Sequence, residues 1–115
     1  MGSDWSVSSP DPLEEIHVAV NRAMPNDYPY KVETREVFLP DERLDLATAI
    51  AGFTIGSAYV NHLDEATGSI EVGKYADLAV VDRNLFAHPV EEISEARVEL
   101  TLVEGERVHA AGDLA

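Results

Sequence analysis

The chain changes its hydrophobic period once, near Gly68, and this change constrains its fold more than any other feature. Before Gly68 apolar residues recur at helical spacing, and after it they come in short alternating or continuous runs. Helices repeat every 3.6 residues and strands every two, so the first part is expected to be helical and the second β. The expected fold class for the isolated chain is α+β, with about three helices followed by a small antiparallel β unit.

In the first part, Asp11 suits an N-cap, Pro12 the first helical position and Glu14 a capping-box carboxylate. Leu13, Ile16, Val20 and Ala23 keep helical spacing until Pro25, which should stop the element. The stretch PNDYPYKVETREVF reads as a connecting loop with a short extended piece. Pro40, Asp41 and Glu42 should open a second helix with acidic groups at its positive end, Leu44, Ala47, Ile50 and Ala51 forming its core face. Thr54 can cap a short third helix that runs to Tyr59.

In the second part, GSIEVGKYADLAVVDRN reads as strand, turn, strand, with Ile70 and Val72 before Gly73 and Leu78 to Val81 after it. VELTLVEGERVH reads as a hairpin, because Gly105 supplies the positive φ that a tight Glu104–Gly105 connection needs. Four such short strands make a small sheet whose edges and one apolar face require a cover.

Length and charge bound the function. A chain of 115 residues is one small domain in size. With 22 acidic against 8 basic residues its net charge is −14, which repels phosphate backbones and anionic lipid, so neither nucleic acid nor membrane is an expected partner. There is no cysteine, hence no disulfide or thiolate chemistry. No apolar run reaches the length of a membrane span and no secretion signal is evident, so the expected location is cytoplasmic.

TIGSAYVNHLDEATGSIEVGKYADLAVVDRN resembles the C-terminal signature of the amidohydrolase superfamily. Thr54, Ser57, Ala58, Gly68, Gly73, Lys74, Ala76, Asp77, Leu78 and Asp82 fall on its pattern. GSDW, with FLPDERLDLATAIAGFT, further resembles the subgroup that contains N-substituted formamide deformylases, although Ser6 stands where that subgroup often has proline. The resemblance implies a (β/α)8 barrel flanked by a small β-sandwich, with one or two divalent metals at the C-terminal ends of the barrel strands. Residues 1–67 would correspond to the end of the barrel, meaning the tip of its eighth strand and the following helices. Residues 68–115 would supply the C-terminal strands of the sandwich. The sequence would then begin inside the eighth strand.

The resemblance implies that Asp4 binds metal, zinc first among candidates, and takes the proton of the attacking water, while Trp5 borders the pocket of a small N-acyl or N-formyl substrate. The implied reaction is hydrolysis of a non-peptide carbon–nitrogen bond. The other ligands of such a site, a His-x-His pair, a bridging lysine or glutamate and two further histidines, have no counterpart here. His17, His62, His88 and His109 are expected to be ordinary surface or loop histidines. This chain alone is therefore expected to bind no metal and to be inactive, with Asp4 solvated and Trp5 packed on the first helix. Lys74 and Asp77 read as structural, Asp77 bonding backbone groups near the turn. PVEEISEARVE reads as a solvated surface segment, and LDEAT lacks the oxygens of a calcium loop. A second reading is a short non-catalytic module that forms a homo-oligomer through exposed helix faces and sheet edges.

Overall fold

The structure is a computed structural model that describes residues 2–26, 28 and 36–112. Most of the loop expected at PNDYPYKVETREVF lies outside the described residues. The chain divides into two compact units, Met1–Ile50 with Leu85–Glu95, and Ala51–Asn84 with Ala96–Ala115. It is α+β: among the described residues there are three α-helices and a three-stranded antiparallel sheet.

The first unit is organised by α1 (Pro12–Asn21). Asp11 caps it, its carboxylate accepting from the Leu13 N–H at 2.9 Å, and Pro12 enters where no backbone donor is needed. Leu13, Ile16, His17, Val20 and Asn21 form the buried stripe, spaced three and four apart. The helix ends at Asn21, before the expected stop at Pro25, because Arg22 turns left-handed (φ 54°) and its N–H closes back on Val18 O at 2.8 Å. The carbonyls at this end find partners: Leu44 N–H bonds Ala19 O, Arg43 Nε bonds Asn21 O, and Phe38 N–H bonds Arg22 O.

Val90–Glu95, a 3₁₀ segment, packs on α1. Ile93 is 1 % exposed, Ser94 is also buried, and Asn21 Nδ2 donates to Val90 O at 2.8 Å. This corrects the expectation that PVEEISEARVE is a solvated stretch. Its glutamates dominate the composition, but Ile93 faces inward.

The second helix starts later than expected. Pro40–Glu42 makes only a 3₁₀ turn, Arg43 is extended, and α2 runs Leu46–Phe53. Asp45 decides the start: its carboxylate takes the Thr48 N–H at 2.9 Å and the Thr48 hydroxyl at 2.6 Å. The buried face is consequently Leu46 and Ala49 rather than Leu44, Ala47, Ile50 and Ala51.

In the second unit, α3 (Ile55–Val60) begins after Thr54 as expected, though the Thr54 side chain makes no capping hydrogen bond to it. The sheet holds β1 (Leu78–Val81), β2 (Val98–Val103) and β3 (Glu106–Ala110) in that order. Val80 pairs with Leu100 and Thr101 with His109. The hairpin is as read from sequence, and both of its turn residues, Glu104 (φ 52°) and Gly105 (φ 84°), take the positive φ of a type I′ turn.

The strand expected at Ile70–Val72 does not form. There the backbone turns, with Lys74 N–H on Glu71 O and Tyr75 N–H on Ala66 O, and leaves Ile70 and Val72 exposed. No helix among the described residues is long and apolar enough to cross a membrane.

Candidate functional site

Asp4 lies in the first unit on a short turn, not on a strand. It is exposed, with φ 53°, and its carbonyl accepts from the Val7 N–H at 2.8 Å. Ser8 Oγ ties the same turn together by donating to Ser3 O at 2.6 Å. The Trp5–Ser6 peptide is cis. Trp5 is 71 % exposed, which corrects the expectation that it packs on the first helix, and Val7 of the same turn is exposed too.

The four histidines do not gather. His17 is 3 % exposed on the buried face of α1, which corrects its reading as a surface residue: it occupies the position between Ile16 and Val20 that helical spacing turns inward. It lines a cavity of about 190 Å³ with Asn21, Met24, Arg43 and Glu91. His62 is exposed with φ 58°, just past α3. His88 Nδ1 stands 3.4 Å from a Glu92 carboxylate oxygen, both side chains well exposed. His109 Nε2 lies 3.3 Å from Val98 O across the hairpin. Among the described residues no three histidine, aspartate or glutamate side chains are grouped so that they could hold a metal ion. A catalytic metal needs about three protein ligands in fixed geometry, so the described residues alone do not fit one.

The signature residues of the second unit perform structural work. Asp77 Oδ1 accepts the Glu104 N–H at 2.8 Å and Oδ2 the Thr67 hydroxyl at 2.8 Å, while Gly105 N–H bonds Ala76 O at 3.1 Å. This fastens the hairpin turn to the loop before β1, so Asp77 is structural as expected but bonds the backbone of the hairpin turn rather than that of the nearby Gly73 turn, and the Glu104 and Thr67 hydrogen bonds, the backbone one first, hold its carboxyl below its ordinary range. Lys74 Nζ bonds Asp64 O and Ser69 Oγ and pairs with Glu71 at 3.4 Å. The Ser69 hydroxyl and the Lys74 charge likewise lower the Glu71 carboxyl.

Sequence reading missed the part Asp82 plays. Arg83 donates to both its carboxylate oxygens, and Arg97 N–H bonds Oδ1 at 3.1 Å while Asp82 N–H returns a bond to Arg97 O. The Arg83 hydrogen bonds, then the Arg97 backbone bond, hold its carboxyl low. The only signal in the sequence was an aspartate at the end of an apolar strand.

Beside α3 and β1 lies an open groove of about 470 Å³, lined mainly by apolar groups that include Phe53, Ala58, Leu63, Ile70 and Leu78. Its one carboxylate, Asp77, is already engaged.

Comparison with known proteins bears on the identity of the chain. The model of the amidohydrolase family matches residues 1–109. The protein LONG AFTER FAR-RED 3 of Arabidopsis thaliana is 31% identical over 109 residues, which is 95% of this chain and 17% of that protein. The N-substituted formamide deformylase of Arthrobacter pascens is 30% identical over 105 residues, 91% of this chain and 18% of the enzyme. The chain thus spans less than a fifth of the length of either relative. No solved structure matches it.

Proposed function

The chain belongs to the amidohydrolase family, and on that premise we propose that it is the C-terminal part of a longer hydrolase that cleaves non-peptide carbon–nitrogen bonds of small N-acyl or N-formyl compounds. The observation that carries this reading is the family match over residues 1–109, which takes in both the Asp4 turn and the Gly73–Asp82 segment in order. The formamide deformylase among its relatives supports the bond type. Residues 1–67 would close a (β/α)8 barrel and 68–115 would complete a flanking sandwich, the chemistry standing at the C-terminal ends of the barrel strands.

Asp4 is the residue proposed to act. An exposed carboxylate on a turn can take a proton from an attacking water and return it to the departing nitrogen, a role typically worth about 10²- to 10⁴-fold in rate. Trp5, carried outward beside it, would border the substrate. A divalent metal, zinc first, is proposed for the complete polypeptide only, with Asp4 as one of its ligands. Among the described residues of this chain no three histidine, aspartate or glutamate side chains are grouped as such a metal needs. The proposed location is the cytoplasm.

The test compares two proteins on N-formyl and N-acyl amines in the presence of zinc or manganese. The 115-residue chain should show no turnover. The protein translated together with the coding sequence in frame ahead of Met1 should hydrolyse them, and Asp4→Asn should lower its kcat by about 10²-fold or more. Full activity in the Asp4→Asn protein would overturn the assignment of Asp4. Turnover by the short chain would overturn its dependence on the rest of the enzyme.

A second reading, a non-catalytic module that self-associates, is favoured by one observation. Strand β3 is an edge of the sheet, and its Glu106 to His109 side chains are exposed, Val108 at 61 %.

A further inference from the structure

We draw no further inference here: the strongest candidate, the apolar groove lined by Phe53, Ala58, Leu63, Ile70 and Leu78 beside edge strand β1, carries nothing because nothing in the structure shows what covers it.

Discussion

Asp77 joins two stretches that are far apart in sequence, the Thr67 loop and the Glu104–Gly105 turn, through one carboxylate. Its carboxyl is held below the ordinary aspartate range, so the folded state binds this proton less readily than the unfolded chain does. Its contribution to stability is therefore complete above the unfolded value of about 3.9 and is lost as pH falls through the lower folded value. Thermal melts between neutral pH and about pH 2.5 should show a lower Tm for Asp77→Asn at pH 7, and a gap from the parent protein that narrows below about pH 4. An equal gap at every pH would mean that the carboxylate charge is not what Asp77 contributes. Gly68 makes a different kind of demand. It has φ +88°, and an added Cβ would lie 2.6 Å from Ala58 Cβ and 3.0 Å from Ile55 Cα. Gly73 has φ +100° but open space around it. Alanine at 73 should cost only the backbone strain, about 1–2 kcal/mol, and alanine at 68 roughly 2–4 kcal/mol because overpacking is added. Denaturant midpoints of the two variants measure the difference. Residues whose role is local were legible in the sequence: Asp11 caps the residue two ahead of it, and Gly105 answers the φ of its own turn. His17 lies on the same helical stripe as Leu13 and Val20, but its polar ring argued for the surface, and the segment that covers α1 lies more than 70 residues away.

The packing of Val90–Glu95 on α1 brings together segments separated by most of the chain. Ile93 is its anchor, 1 % exposed and buried with Ser94 in a 3₁₀ segment whose Glu91 and Glu95 are exposed. Ile93→Ala should destabilise the protein by about 2–5 kcal/mol, the loss of a buried branched side chain plus the cavity left behind. Glu91→Ala, at an exposed position of the same segment, should stay within about 0.5 kcal/mol. Urea unfolding of both variants checks this, and similar midpoints would show that the segment does not anchor α1. At this scale, α1 and the β2–β3 hairpin were legible because periodicity agreed with the cap at the start of the helix and with the turn of the hairpin, though α1 ends before Pro25. The second helix was misplaced because two acidic starts compete, and Asp45 reaches both the N–H and the hydroxyl of Thr48, whereas Pro40–Glu42 is cut short by extended Arg43. Ile70 and Val72 have the alternation of a strand, but alternation states only that a strand could form. A ladder also needs a neighbour to pair with, and here the chain turns instead, Lys74 N–H bonding Glu71 O and Tyr75 N–H bonding Ala66 O.

For the whole molecule, charge and edges pull in opposite directions. A net charge of −14 on 115 residues opposes the approach of a second copy, while edge strands β1 and β3 and exposed Val108 invite it. A candidate site is less legible in a sequence than a helix or a hairpin. A reaction centre is a convergence of several segments, and among the described residues no three histidine, aspartate or glutamate side chains converge. If association is driven by apolar and edge contacts, salt should promote it, because raising ionic strength from about 0.01 M to 1 M shortens the screening length from about 30 Å to 3 Å and removes the repulsion without weakening apolar burial. Sedimentation velocity at pH 7 should then show a larger weight-average coefficient at high salt than at low. Val108→Lys should abolish the increase, since a charge on an edge strand is a common obstacle to edge pairing. An increase that survives Val108→Lys would place the contact away from β3, and association that weakens with salt would mean that ion pairs, not the exposed edge, hold the copies together.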